Sequence, residues 1–244
     1  MKLLKVTPVL LLGAFSYTQA ALVAITNFNM ESAPTKQADG GLTGALATGW
    51  TYGNISGSPG TFTFNTTTTT RYYNDPAFAD TSPSGGASGT MAGPNFTGLS
   101  GTGSGYIQQT LTATVAANTQ YTLTAALGHR TVDSGAAATA SPVTIELRSG
   151  SVSLAAGTFD PSGGIWADTG ALPDDIWADA TLVFTTSATP AQLGQPLTIR
   201  FTKSGASGNY MDFDNVRLDA TLVPEPQVAI LGALAGLGLL RRRR

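Results

Sequence analysis

Apolar side chains recur at every second position in six short runs of the chain, and turn-forming residues separate the runs. The runs cover residues 106–113, 121–127, 143–147, 180–184, 197–201 and 211–218. A period of two puts alternate side chains on one face of an extended strand, so each run predicts a strand of an antiparallel sheet buried on one side. Ala117, Asn118 and Thr119 predict a hairpin turn between the first two. Residues 22–29 and 61–64 read as two further strands, whereas 66–70 and 81–105 are low in complexity and rich in turn residues, which predicts surface loops. No stretch between the two ends carries a helical period. Sheets that are apolar on one face bury it most economically against each other, so the expected fold is all-β: an antiparallel two-sheet β-sandwich of the jelly-roll kind.

The two ends follow different patterns. Lys2 and Lys5 precede a mostly apolar stretch at 6–15, and the small residues Thr18 and Ala20 follow it. This is the layout of a secretory signal peptide over 1–20. Pro8 and the polar residues 16–19 leave it too short and too interrupted to span ~30 Å of hydrocarbon. At the other end Val223, Pro224, Glu225 and Pro226 lead into an uncharged, largely apolar segment at 227–240, which Arg241, Arg242, Arg243 and Arg244 close. As a helix rising ~1.5 Å per residue, that segment reaches roughly 21 Å, and snorkelling arginines lengthen its reach. The arginines hold their end in the cytoplasm, leaving the Pro-Glu-Pro motif at the outer face. The organisation expected is therefore a signal peptide at 1–20, a β-sandwich at 21–222, and a terminal segment of motif, hydrophobic helix and arginine tail at 223–244.

This three-part ending resembles the PEP-CTERM sorting signal. The resemblance implies cleavage by an exosortase, a membrane-embedded protease, during export coupled to exopolysaccharide production in a Gram-negative bacterium. It places the chain transiently in the inner membrane and afterwards at the cell surface, in the outer membrane or in the extracellular biofilm matrix. The partners it implies are the exosortase, the membrane before processing, and exopolysaccharide or another glycan.

Setting the ends aside changes the charge. Six of the thirteen basic residues belong to them, so 21–226 carries 7 basic and 15 acidic residues, a balance of −8. A domain this acidic is repelled by phosphate backbones, which excludes nucleic acid as a partner. There is no cysteine and one histidine, His129, which removes disulfides, thiol chemistry and clustered zinc ligands. No serine lies in a G-x-S-x-G turn that would pair with His129. The glutamates of the sandwich are Glu31 and Glu146, and Glu146 falls on the polar side of its strand. Asp160, Asp168, Asp174, Asp175 and Asp179 crowd a turn-rich stretch without EF-hand spacing, and read as solvated turn residues. No catalytic residue follows from these patterns, and the expectation is a protein that is not an enzyme.

The opening run Ile25-Thr26-Asn27-Phe28-Asn29-Met30-Glu31 and the closing run Phe213-Asp214-Asn215-Val216-Arg217-Leu218 resemble those of galactose-binding-like jelly rolls in carbohydrate-binding modules. That resemblance implies a structural calcium shared between first and last strands, with Asp214 as carboxylate ligand and Asn29 and Glu31 as further oxygen donors. Backbone carbonyls and water would complete the six to eight ligands calcium takes. Sugar-stacking platforms would be Tyr72, Tyr73 and Trp166, which lie outside the alternating strands, while Trp50, Trp177, Tyr121 and Phe213 occupy positions expected in the core. The function expected is a non-catalytic surface or matrix protein that binds carbohydrate. One alternative is a purely structural matrix scaffold. Another is a calcium-dependent jelly-roll enzyme, glycosidase-like or similar to the few cyclases of this general type that act on small indole substrates, with an aspartate in an aromatic pocket as its acid.

Overall fold

The computed structural model describes residues 20–30, 32, 42–43, 46–57, 60–65, 95–100, 103–129, 132–133, 136–137, 141–160, 176–203 and 210–223. Fourteen strands run through them: β1 (Ala21–Leu22), β2 (Leu42–Thr43), β3 (Thr51–Gly57), β4 (Gly60–Asn65), β5 (Asn95–Ser100), β6 (Gly103–Thr114), β7 (Thr119–His129), β8 (Val132–Asp133), β9 (Ala136–Ala137), β10 (Val143–Ser149), β11 (Val152–Phe159), β12 (Ile176–Thr185), β13 (Pro196–Lys203) and β14 (Tyr210–Leu222). The larger sheet has the order β12-β7-β14-β5-β4-β2, with β1 added to β14; the smaller has the order β11-β10-β13-β6-β3, and β8 pairs with β9 alone. The expected all-β sandwich of two antiparallel sheets is the observed architecture. Among the described residues no helix is long and apolar enough to cross a membrane. Residues 1–19 of the predicted signal peptide and residues 227–240 lie outside the described set.

All six alternating runs are strands, but one connection differs from expectation. The turn at 117–118 does not close a hairpin, because β6 belongs to the smaller sheet and β7 to the larger. Asn118 takes a left-handed φ of 48° there. Its N–H donates to Ser187 O at 2.9 Å, and the Thr119 N–H donates to Thr186 Oγ1 at 2.8 Å. Crossing between layers turns the Leu111 side of β6 toward the Leu123 side of β7, which a hairpin would have left side by side. Of the strand expected at 22–29, β1 keeps only Leu22, and 26–29 form a turn. The loop expected at 81–105 contains β5 and the first residues of β6.

The core lies between the sheets. Phe201 of β13 stacks on Phe213 of β14 with ring centres 4.1 Å apart, and the Trp50 ring meets Phe213 edge-on at 5.4 Å. Leu123, Leu127, Leu99, Ile107, Ile145 and Ile199 surround them at 0 % exposure. Trp50, Tyr121 and Phe213 thus occupy the core positions expected of them. Gln109 stands in the apolar phase of β6, and its amide is satisfied by accepting from Thr26 N–H and donating to Thr26 O, each at 2.8 Å.

On β14 the pairs Asp214↔Ala126 and Arg217↔Thr124 enclose one more residue on β14 than on β7, a β-bulge. Asn215, with φ 46°, supplies the left-handed residue. The bulge reverses which parity faces the core: Met211 and Phe213 before it, Val216 and Leu218 after it. Truncating the aromatic at the centre of this packing removes its contacts with both neighbours and leaves a cavity. Phe213→Ala is expected to cost about 3–5 kcal/mol in denaturant unfolding, and a loss under 1 kcal/mol would contradict this account of the core.

Candidate functional site

The face of the larger sheet that points away from the core carries the unusual chemistry. Strand alternation puts Asp212 and Asp214 on that face, since Met211 and Phe213 face inward. An outward-facing aspartate is ordinarily solvated, yet these two are 1 % and 0 % exposed. The same face is open at its other end, where Val183 is 54 % exposed. Cover is therefore confined to the end that holds the aspartates.

The pairing register shows what surrounds them along the sheet. Trp177 of β12 pairs with Gly128 of β7, Asp212 of β14 pairs with Gly98 of β5, and Gly98 pairs with Phe62 of β4. β14 pairs with β7 from Phe213↔Leu127 onward. Asp212, Gly98 and Phe62 thus share one row across β14, β5 and β4, and Trp177 and Gly128 are paired on β12 and β7. In the next row Asp179 and Ala126 lie on one side of Asp214, and Phe64 pairs with Phe96 on the other strands. Gly128, Ala126 and Gly98 are buried. Each carboxylate thus has a small residue as its paired neighbour, Gly98 for Asp212 and Ala126 for Asp214. At the rim, Arg217 pairs with Asp179, both side chains being partly exposed.

Asp214 has a second setting. Its Oδ1 accepts from the Asn215 N–H at 2.6 Å, which holds the left-handed bulge. The bulge meets the turn at 26–30, where Phe28 O accepts from Val216 N–H at 2.9 Å. Asn27 organises that turn: its Nδ2 donates to Ser32 O and Thr48 O, and its Oδ1 accepts from Ser32 N–H. Asn29 is half-buried in the same turn, one residue from Phe28.

Of the residues expected to act, Asp214 and Asn29 are brought to neighbouring segments, while Glu31, Tyr72, Tyr73 and Trp166 lie outside the described residues. So do Pro224, Glu225, Pro226, Arg241, Arg242, Arg243 and Arg244; Val223 follows β14 and is partly exposed. Trp177, also expected in the core, lies in β12 opposite Gly128 of β7, and its side chain is outside the described set. Glu146 is on the outer face of the smaller sheet, as its strand phase predicted, and pairs with Arg148 at 2.6 Å. Asp212 was missed. The available signal was a second aspartate in the polar phase of the one strand whose neighbours on both sides are apolar.

Among the described residues Lys203, the last residue of β13, is a third buried charge-bearing group. It points into the end of the core at 1 % exposure and donates to Gly103 O at 2.8 Å. Burial lowers its pKa below the ordinary lysine value of 10.5.

Residues 21–219 match the HpiC1-like family, the family of HpiC1 cyclase. The chain belongs to that family. No curated protein matches it. Among solved structures it resembles the Stig cyclase Fisc of Fischerella sp. TAU in complex with (3Z)-3-(1-methyl-2-pyrrolidinylidene)-3H-indole, with TM-score 0.66 and 23 % identity over 84 % of this chain and 100 % of that one. A cyclase from Fischerella sp. TAU in complex with 4-(1H-indol-3-yl)butan-2-one gives the same values. An apo cyclase from Fischerella sp. gives TM-score 0.63 and 24 % identity over 84 % and 98 %.

Family membership corrects several expectations. The PEP-CTERM resemblance rested on a short terminal segment, whereas the cyclase match covers the folded body and ends at residue 219. The carbohydrate-module resemblance followed from strand order, which jelly rolls of different activity share. The exosortase, exopolysaccharide and biofilm-matrix assignments fall with those resemblances. The expectation of a non-enzyme is overturned as well; it came from counting histidine, cysteine and glutamate and overlooked a buried aspartate.

The linkage at Lys203 gives a test of the buried charge. With the folded pKa below the unfolded one, the unfolded chain binds more protons between the two values. Stability is therefore expected to rise as pH increases from the folded pKa toward 10.5. Lys203→Met should lose that rise in urea unfolding measured from pH 7 to 10.5, and parallel curves for the two proteins would refute the assignment.

Proposed function

We propose that this protein is a cyclase for a small indole-bearing substrate, bound over the covered outer face of the larger sheet, with Asp212 moving the proton that ring closure requires. The observation that carries the reading is Asp212 itself: 1 % exposed, on the outer face of the sheet, and paired with Gly98. The indole class comes from the Fischerella cyclases, whose complexes contain indole compounds.

Ring closure within one molecule needs no oxidant or reductant. A proton is taken up at one atom, a carbon–carbon or carbon–nitrogen bond forms, and a proton leaves another atom. A carboxyl group held out of bulk water suits both transfers, and general acid–base catalysis of this kind contributes about 10²–10⁴-fold. Exclusion of water also protects a cationic intermediate from capture.

Asp214 is assigned a supporting role. Among the described residues no group of three or more His, Cys, Asp or Glu comes together, so a cation here relies on few carboxylates. Calcium accepts such a set when amide and peptide oxygens complete it. Asp214 and Asn29 lie on the two segments that the Val216–Phe28 hydrogen bond joins, which suits them to supply oxygens to one cation. Bound calcium would tie the opening segment to β14.

Titration with 4-(1H-indol-3-yl)butan-2-one, followed by calorimetry, is expected to give saturable binding. Asp212→Asn should keep that binding while losing at least about 10²-fold in conversion of indoles with an unsaturated side chain to products of equal mass, read by chromatography and mass spectrometry. Absence of binding by the wild type, or full turnover by Asp212→Asn, would reject the reading. Chelation is expected to lower the Tm of the wild type and leave that of Asp214→Ala unchanged; equal shifts in both would remove calcium from this position.

A further inference from the structure

We infer that the outer face of the smaller sheet holds a second binding site, which takes the carboxylate of a small organic acid on the guanidinium of Arg200. The inference is independent of the cyclase reading, because the outer faces of the two sheets lie on opposite sides of the sandwich.

Strand phase puts Tyr106 and Gln108 of β6, Arg200 and Thr202 of β13, and Glu146 of β10 on that face, since Ile107, Phe201 and Ile145 point into the core. All five are partly exposed, so this face is open to solvent. In the pairing Arg200 stands directly between Gln108 and Glu146. An opposite charge on the neighbouring strand is the ordinary partner for a cation. Arg200 does not take it. Glu146 pairs instead with Arg148 at 2.6 Å, and Arg200 Nε and Nη2 both donate to Gln108 Oε1, at 2.9 and 2.7 Å. The Arg200 Cζ lies 3.9 Å from the centre of the Tyr106 ring. A glycine seats that ring in turn: a Cβ on Gly53, the partner of Tyr106 on β3, would lie 2.5 Å from Tyr106 Oη.

These contacts fix the plane and rotation of the guanidinium, and none of them neutralises it. Gln108 and Tyr106 leave the Nη1 and Nη2 end of the fork without a partner in the chain. That end matches a carboxylate through two parallel hydrogen bonds. Fixing the side chain in advance removes the ordering cost that weakens binding to a mobile arginine. Among the described residues Arg217 pairs with Asp179 and Lys203 is buried, so Arg200 is the solvent-reaching cation left without a carboxylate. Since Arg148 and Glu146 offset each other, the charge offered is single, which suits a planar monoanion better than a phosphate.

Titration of the full chain with benzoate, followed by the line width of the benzoate proton resonances, tests the site. Benzamide serves as the neutral counterpart and inorganic phosphate as the competing anion. The wild type is expected to bind benzoate saturably and benzamide at least about tenfold more weakly, and equimolar phosphate should not displace the benzoate. Arg200→Lys keeps the charge and loses the fork, so it should keep its Tm and bind benzoate at least about tenfold more weakly. Tyr106→Leu should keep its Tm and lose about threefold or more, through loss of the stack that orients the fork. Asp212→Asn should bind benzoate as the wild type does, which separates this site from the cyclase site. No binding by the wild type, undiminished binding by Arg200→Lys, equal binding of benzamide, or loss in Asp212→Asn would each overturn the inference. Displacement by phosphate overturns the carboxylate assignment, and undiminished binding by folded Tyr106→Leu overturns the role given to the stack.

Discussion

Double burial of β14 is the constraint on which the rest of the structure depends. One side of the strand meets Phe201 and Trp50 in the core, and the other holds Asp212 and Asp214 out of water. A sandwich needs only one face of each sheet covered, so cover on the second face adds an environment that stability of the core does not require. Carboxylates in that environment cost free energy unless they are hydrogen-bonded. Their retention there is what directs attention to chemistry rather than to packing.

The bulge at Asn215 makes the two faces compatible. Without the extra residue, strand parity would carry Val216 and Leu218 outward and bring Arg217 into the core. Asp214 stabilises the bulge through the Asn215 N–H, and the opening segment then docks beside it through Phe28 O. That segment occupies the side of β14 that β5 vacates after Phe213, with β1 completing the edge at Asp219 and Ala220. Gln109 ties the same segment to the opposite sheet by pairing with both polar groups of Thr26. Gly49, with φ 89°, allows this approach, because a Cβ there would lie 2.8 Å from Thr26 Cγ2. First and last segments are thus joined to each other and to both layers, which holds the aspartate-bearing strand rigid.

Several misjudged positions share one cause, the use of local pattern for a property set by distant neighbours. Gln109 looks like a break in the apolar phase of β6, yet it is buried because a turn 83 residues away offers it a donor and an acceptor. The turn at Asn118 has the composition of a hairpin, and only the partners Thr186 and Ser187 show that it passes between sheets. Asp212 reads as the solvated side of an edge strand when its neighbours in sequence are all that is visible. The terminal motif, by contrast, was conspicuous locally, and conspicuousness led the functional reading toward sorting and away from the body of the chain.

Alternation of apolar residues determined by itself that this chain forms antiparallel strands closed into a sandwich, because a two-residue period has one burial-compatible solution. The lack of cysteine likewise followed from composition, and excluded disulfides. The tertiary structure decided which strands became neighbours, and so which residues share a row. Asp212, Gly98 and Phe62 share one row yet come from strands scattered over more than a hundred residues. No local rule relates them, since hydrogen-bond register between distant segments is set only when the whole sheet forms.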